Sequence, residues 1–201
     1  MLRVGRSRRL RSLVMLGLLG AGVAFVGDAL WLAGKAKLAQ VLLLQAWSET
    51  LAEGRAHKPW PWADHWPVAR LEVPGLAVDQ IVLAGESGAV LAFAPGQNMQ
   101  AGEPGGGGTV VISGHRDTHF RFLQDMRPGM QVQVQTPTAV VQYRVRSAVI
   151  VDARAVQLPV RGDQEELVLV TCYPFDSLRA GGSLRYLVWA DRIGPAEPSH
   201  I

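Results

Sequence analysis

Residues 167–172, which read Leu-Val-Leu-Val-Thr-Cys, decide both the fold and the candidate site. A short run of branched apolar residues predicts a buried β-strand. The strand ends at Cys172, and the turn-forming segment Tyr173-Pro174-Phe175 follows. A cysteine at a strand end lies at the rim of a sheet, where a substrate can reach the sulfur. Because Cys172 is the single cysteine among 201 residues, it is either an inert core residue or a reactive thiol.

Two further residues stand at predicted strand ends. Residues 109–113 form an apolar run that leads through Gly114 to His115. Arg185 opens the run Arg-Tyr-Leu-Val-Trp-Ala at residues 185–190. The sequence thus predicts a histidine, a cysteine and an arginine at strand termini, where one end of a sheet can bring them together.

These three residue types suit acyl transfer through a thiol. A thiol is nucleophilic as its thiolate, and a nearby imidazolium or guanidinium favours that form. A histidine can then give a proton to a departing amine. An arginine stays charged and can donate hydrogen bonds to a developing oxyanion or to a substrate backbone.

The ordered set of motifs is Gly114-His115, then Val170-Thr171-Cys172 followed by Tyr-Pro-Phe, then Arg185 thirteen residues after the cysteine. This set resembles the sortases, which are membrane-anchored cysteine transpeptidases with an eight-stranded β-barrel. The Thr-Cys-Tyr-Pro-Phe and Gly-His-Arg-Asp-Thr-His-Phe forms are most similar to sortases of marine and other proteobacteria. The Trp- and Pro-containing segments at 59–64 and 66–71 resemble the same group.

The resemblance implies a mostly β protein, with a sortase-like antiparallel barrel at residues 59–194 and a tail at 195–201. It implies that His115, Cys172 and Arg185 are the catalytic set, and that no cofactor is needed. The implied substrate is an exported protein whose C-terminal sorting signal is similar to Leu-Pro-x-Thr-Gly or Leu-Pro-x-Thr-Ala. The signal would pass through a Cys172 thioester to an amine acceptor, which the sequence does not name.

Three neighbours of the motifs are candidate supporting residues. Thr171, Asp117 and His119 are candidates for supporting the catalytic set or binding substrate. Asp117 could orient His115, but its adjacent position favours a solvated or turn-forming residue. His119 is either a helper of His115 or a helix-surface residue.

Other ligand sites are disfavoured. His115, Asp117 and His119 lack the usual spacing of metal ligands, so we expect no metal. The glycines at 105–108 are not followed by the lysine of a phosphate-binding loop, and a flexible loop is expected there. Arg116 and Arg179 also lie near the motifs, but Arg185 alone opens a strand at the family spacing.

The charge distribution argues against nucleic acid. Five of the 20 basic residues are arginines within residues 1–12, which leaves 15 basic against 17 acidic side chains in the rest of the chain. The bulk of the protein is therefore not a basic surface.

The basic tail precedes a predicted membrane anchor. Residues 13–34 are apolar apart from Asp28, and 22 residues at about 1.5 Å each span a hydrocarbon core of about 30 Å. The arginines at 1–12 predict a cytoplasmic N-terminus and a single pass through the inner membrane, with the catalytic domain outside. A cleaved signal peptide is the alternative. Residues 35–58 are predicted to continue as a helical stalk, or as a helix packed on the domain or bilayer.

The remaining pattern predicts strands at 68–73, 79–83, 108–113, 130–135, 140–151, 166–172 and 184–191. Short helices are expected at 118–126, capped by Thr118, and at 87–93. Trp60, Trp62 and Trp66 form either an exposed aromatic patch or a staple onto the barrel. Two functions remain as alternatives to transpeptidation: a membrane-bound thiol hydrolase, and a non-enzymatic envelope barrel with a buried Cys172.

Overall fold

The architecture is that of a long helix followed by a β-barrel. A computed structural model describes residues 4–155, 162, 164–177 and 181–199. The chain divides into two compact units, Met1–Val41 and Leu42–Ile201, and each is described by itself below. Helix α1, Val4–Glu53, runs through the boundary between them.

The first unit is helical and exposes its apolar side chains. Leu18, Phe25 and Trp31 are each between 67% and 76% exposed. Among the described residues, one helix is long and apolar enough to cross a membrane, and it includes this stretch. Lys35 places its ammonium 5.1 Å from the centre of the Trp31 ring. A tryptophan and a lysine near the end of an apolar run are typical of the membrane–water interface.

In the second unit, the last turns of α1 pack against the barrel. Leu43 and Trp47 are buried in a cluster with Ile81, Leu83 and Val90. Positions separated by four residues share a helix face, so this part of α1 has an apolar stripe. The helix ends at Glu53, before a glycine with a positive φ of 68°. The part of α1 that belongs to this unit, residues 42–53, is thus a helix packed on the domain, and residues 54–58 are not helical.

Nine strands follow in the described part of the chain. They are β1 Pro67–Val73, β2 Val78–Ala84, β3 Gly96–Gln97, β4 Thr109–Ser113, β5 Gln131–Gln135, β6 Ala139–Asp152, β7 Glu166–Cys172, β8 Leu184–Arg192 and β9 Glu197–Pro198. The sheet order is β5-β1-β2-β3-β4-β7-β8-β6-β9, and β5 also pairs with β6. That pairing closes the first eight strands into a barrel, which confirms the predicted fold class.

Two of the strand pairings depart from the antiparallel expectation. β2 pairs with β3 in parallel, and β4 pairs with β7 in parallel. The remaining pairings between strands are antiparallel. Parallel neighbours need a long crossover connection, and here β5 and β6 are formed between β4 and β7. Hydrophobic alternation does not record strand direction, so the sequence pattern could not reveal this.

Alternate residues of the strands fill the barrel. Ile112, Leu169 and Val188 point inward and are at most 1% exposed. The interior also holds Phe120 and Tyr143, which belong to the same cluster of buried residues. Burial of such side chains contributes roughly 1.5–3 kcal/mol each, so this core is the main source of stability.

One of the two predicted short helices is correct. Helix α2, Gly88–Leu91, begins after Ser87, whose hydroxyl accepts a hydrogen bond from the amide of Val90. The predicted helix at 118–126 is instead a 3₁₀ helix at Arg121–Asp125, preceded by Phe120 with no side-chain cap. Thr118 is not a cap, because the chain turns there: the amide of Phe120 donates to the carbonyl of His115.

The tryptophans before β1 have different environments. The Trp60 ring lies 5.4 Å from the His65 ring and 5.2 Å from the Phe93 ring, centre to centre. Trp60 therefore staples this segment to the domain. Trp62 is 83% exposed and takes no part in that packing.

Candidate active site

Cys172 and Arg185 lie opposite each other on neighbouring strands. They are directly paired across β7 and β8, and the ladder continues because the amide of Tyr173 donates to the carbonyl of Leu184 at 3.0 Å. Directly opposite residues of an antiparallel pair project to the same face, with Cβ atoms roughly 4.5–5.5 Å apart. The thiol and the guanidinium stem therefore start side by side.

That face is the outside of the barrel. Along β7, Leu167 and Leu169 belong to the barrel interior, whereas Val168 packs in a separate cluster with Val111 and Leu187. We call these last three residues the outer cluster. Because strand residues alternate between faces, Cys172 shares the outer face with Val168. Cys172 is partly exposed, so the sulfur is not an inert core group.

His115 follows the strand next to β7. The parallel register of β4 and β7 pairs Ser113 with Val170, and the amide of Gly114 donates to the carbonyl of Val170 at 3.0 Å. The hydroxyl of Thr171 donates to the carbonyl of Gly114 at 2.7 Å. These bonds extend the register past the strand end, so the chain at His115 runs alongside the chain at Cys172.

Gly114 is required by close packing rather than by flexibility. A Cβ atom at this position would lie 2.6 Å from the Phe120 ring. Phe120 is fully buried in the barrel interior, so it cannot move aside easily. The glycine thus lets the chain pass close over the core just before His115, which is exposed.

Arg185 is held by the loop that precedes it. Its Nη1 donates to the carbonyl of Gly182 at 2.6 Å and to that of Leu184 at 3.0 Å. Both bonds use one nitrogen, and the guanidinium has further donors on Nε and Nη2. Arg179, the competing arginine, lies outside the described residues.

The three supporting candidates differ in their surroundings. Thr171 is buried and anchors Gly114 through its hydroxyl. Asp117 is exposed. His119 lies partly buried near His115, and burial together with the charge of His115 lowers the pKa of His119. The backbone carbonyl of His119 accepts a hydrogen bond from the side-chain Nε2 of Gln80 at 2.9 Å.

Three packed aromatic side chains hold the chain segment that follows Cys172. The Phe175 and Tyr186 rings are 5.2 Å apart at an angle of 70°, and Tyr173 stacks on Tyr186 at 6.2 Å. The Tyr173–Pro174 peptide is cis. Tyr186 follows Arg185 on β8, so the segment after the cysteine is fastened to the strand that carries the arginine.

Sequence reasoning missed two contacts beside the site. The hydroxyl of Ser113 donates to the carboxylate of Glu86, which places an acid near the end of β4. Nη2 of Arg116 donates to the carbonyl of Ser177 at 2.8 Å. The sequence offered one indication for Arg116, which is its position directly after His115. Glu86 had no such signal, because 27 residues separate it from Ser113.

A separate cavity of about 230 Å³ has no site residue in its lining. It is lined by residues from the end of α1, the start of β1 and the β5–β6 turn, among them Thr50, Pro67 and Thr136. The cavity is therefore separate from the candidate site around Cys172.

Comparison with known proteins agrees with the geometry. Residues 71–193 match the family model of the Sortase domain. Sortase D of Bacillus subtilis (strain 168) is 29% identical over 124 residues, which are 61% of this chain and 62% of that protein. The chain thus spans less than two thirds of the length of this curated relative.

Solved structures show the same fold. Sortase A from Corynebacterium diphtheriae has a TM-score of 0.57 at 25% identity, over 66% of this chain and 63% of that one. A Clostridium perfringens Sortase D5 transpeptidase has a TM-score of 0.61 at 20% identity, over 79% and 99% of the two chains. Since the family model spans more than half of the 201 residues, this chain belongs to the sortase family.

Proposed function

We propose that the protein is a membrane-anchored cysteine transpeptidase, with Cys172 as nucleophile, His115 as proton donor and acceptor, and Arg185 as the oxyanion donor. The observation that carries this proposal is the direct pairing of Cys172 with Arg185, beside a chain segment that ends at His115. Membership in the sortase family supports the reaction type.

In the first half-reaction, the Cys172 thiolate attacks the carbonyl carbon of the scissile peptide bond. Negative charge collects on the carbonyl oxygen, and donors of Arg185 stabilise it. The C–N bond then breaks, and the imidazolium of His115 gives its proton to the departing amine. The products are a thioester on Cys172, a free amine and a neutral His115.

In the second half-reaction, a new amine attacks the thioester carbonyl. His115, now neutral, accepts the proton of the attacking amine, and the C–S bond breaks to release the Cys172 thiolate. An amide forms, and the thiolate–imidazolium pair is restored for the next cycle. Water in place of the amine would give the free acid.

The neighbouring residues have supporting roles in this proposal. Thr171 fixes the end of β7 against Gly114, which supports a role in holding the nucleophile in place. His119 is biased towards its neutral form and lies near His115, so it is suited to pack against the imidazole. Asp117 is exposed and suited to contact with a bound peptide.

We propose the following organisation and partners. Residues 1–12 stay in the cytoplasm, residues 13–34 cross the inner membrane once, residues 35–58 lead to the barrel at 59–194, and residues 195–201 form a tail. The substrate is an exported protein with a sorting signal similar to Leu-Pro-x-Thr-Gly or Leu-Pro-x-Thr-Ala. The long exposed apolar helix supports the anchor. Alkaline phosphatase fused after residue 201 should be active, and green fluorescent protein at the same place should be dark.

The decisive experiment is product analysis with and without an amine. Full-length protein in detergent should cleave a Leu-Pro-x-Thr-Gly-like or Leu-Pro-x-Thr-Ala-like peptide slowly. Oligoglycine or hydroxylamine should raise turnover and give the transfer product, which is an amide with oligoglycine and a hydroxamic acid with hydroxylamine. Arg185→Lys should impair both reactions strongly, because lysine keeps the charge but loses the planar pair of donors. If amines change neither rate nor product and only the acid forms, the protein is a thiol hydrolase.

A further inference from the structure

Arg116 is a buried arginine in the turn that carries His115. The residue is 9% exposed, although both of its neighbours in sequence are exposed. Burying a guanidinium costs free energy unless hydrogen bonds compensate it. The buried guanidinium of Arg116 therefore depends on hydrogen bonds with nearby parts of the chain.

The guanidinium joins the two loops that leave the site strands. Arg116 directly follows His115, and its Nη2 donates to the carbonyl of Ser177, 61 residues later in the chain. Ser177 lies five residues after Cys172, in the segment that the Tyr173–Phe175–Tyr186 ring group fastens to β8. The bond thus connects the histidine turn with the cysteine loop.

This contact adds to the hydrogen bonds that join those segments at the strand ends, where the amide of Gly114 donates to the carbonyl of Val170. At the same place, the hydroxyl of Thr171 donates to the carbonyl of Gly114. These bonds lie before His115 and Cys172 in the chain, so they do not fix the two segments beyond these residues. The Arg116–Ser177 bond lies farther along both segments, so it limits their movement and holds the backbone at His115 relative to the loop after Cys172.

Arginine suits this task better than lysine. Its planar group presents five donors in a fixed arrangement and remains charged at every physiological pH. A lysine ammonium is a point charge on a flexible stem, and it holds the same acceptor with less directional control.

We propose that Arg116 is a positioning residue, which sets the geometry of His115 relative to Cys172 by tying the histidine turn to the loop after the cysteine. The proposal rests on the transpeptidase function given above. In this role, Arg116 acts on the reacting atoms only through other residues. It acts through the Ser177 carbonyl on one side and through the backbone of His115 on the other.

The test compares Arg116→Gln and Arg116→Lys with Arg121→Gln in the full-length protein. Arg121 is an exposed arginine in the adjacent 3₁₀ helix, so it is the matched control. We expect Arg116→Gln to lower kcat about 10²-fold with little change in KM, since small misplacements of catalytic groups have effects of that size. Arg116→Lys should recover part of the rate, and Arg121→Gln should match the wild type.

A second readout needs no substrate. The rate of Cys172 alkylation by iodoacetamide, measured from acid to alkaline pH, depends on the imidazole beside the thiol. The shape of this profile should change in Arg116→Gln, and Arg116→Lys should restore it only in part. If peptide cleavage fails even in the wild type while the alkylation profiles differ as stated, the proposed function is wrong but the positioning role stands.

Thermal unfolding of each variant separates positioning from folding. A lower melting temperature of Arg116→Gln, with kcat and the alkylation profile unchanged, would overturn the proposal and leave a purely structural role. If Arg116→Gln does not fold, the comparison rests on Arg116→Lys, which should fold and have an altered profile. A wild-type profile and wild-type kcat in Arg116→Lys would then count against the proposal.

Discussion

The inner and outer faces of β4, β7 and β8 share one backbone but have different tasks. On the inner face, Ile112, Leu169 and Val188 are at most 1% exposed and form the barrel core. On the outer face, Cys172 and Arg185 are partly exposed at the strand ends. Successive side chains of a strand point to opposite faces, so residues next to each other in sequence serve stability and chemistry separately.

The outer face is not uniformly polar, and this difference is informative. Val111, Val168 and Leu187, the outer cluster, are 0% to 4% exposed in the middle of the strands. On this face, exposure increases towards the strand ends at which Cys172 lies, whereas Thr109 and Glu166 at the opposite ends of β4 and β7 are buried. The apolar middle holds the face in place, while the rim keeps its reactive groups accessible. Substitutions should therefore affect stability or activity according to face and to position along the strand.

The largest effect is expected at the rim of the outer face. Cys172→Ala should abolish thioester formation, because the nucleophile is gone. The free energy of unfolding should change by no more than about 1 kcal/mol, since the side chain is partly exposed. Mass spectrometry of the acyl-enzyme and thermal unfolding measure the two quantities. Residual turnover of Cys172→Ala would mean that another residue is the nucleophile.

On the inner face, a substitution should change the free energy of unfolding strongly. Leu169→Ala removes a side chain that is 1% exposed and should cost about 2–5 kcal/mol of unfolding free energy. Val170→Ala, its neighbour on the outer face, is the matched control and should cost less because Val170 is only partly buried. Denaturant titration measures both. Equal losses would contradict the separation of the two faces.

A substitution at Gly114 tests whether close packing of the backbone on Phe120 constrains the turn before His115. Gly114→Ala puts a Cβ atom against the Phe120 ring and should cost about 1–3 kcal/mol through overpacking. Gly75→Ala, where an added Cβ meets no atom within 4 Å, should leave stability nearly unchanged. Both are measured by chemical denaturation. If Gly114→Ala is as stable as Gly75→Ala, the close approach of Phe120 does not constrain the turn.

His119 should produce the smallest effect, visible as a pH dependence. Burial, and then the charge of His115, lower its pKa in the folded protein, so the unfolded chain binds this proton more readily. Stability from this residue is complete above the unfolded pKa of about 6.5 and is lost as the pH falls below it. The drop in melting temperature from pH 7.5 to pH 5.5 should be smaller in His119→Asn.

The matched control for that measurement is Asp117→Asn, an exposed site in the same turn. It should retain most of the wild-type drop between the two pH values. A drop that is unchanged in His119→Asn would show that the proton on His119 is not linked to folding.

The local pattern predicted most of the barrel. Alternating or branched apolar runs gave seven strands within about two residues of their observed ends, because burial of one face imposes a period of two. The predicted helix start at Thr118 was wrong. The chain forms a turn there, with Phe120 buried in the core, and the 3₁₀ helix begins only at Arg121. Periodicity describes which residues are buried but not the path between them.

By itself, the sequence determined the strands, the apolar helix and the residue types of the site, since these follow from local hydrophobicity and from the single cysteine at a strand end. The tertiary structure decided which strands are neighbours. The parallel pairing of β4 with β7 brings Gly114 to Val170, and the contact of Arg116 with Ser177 spans 61 residues. Such contacts depend on how the whole barrel closes, and no local preference of the chain encodes them.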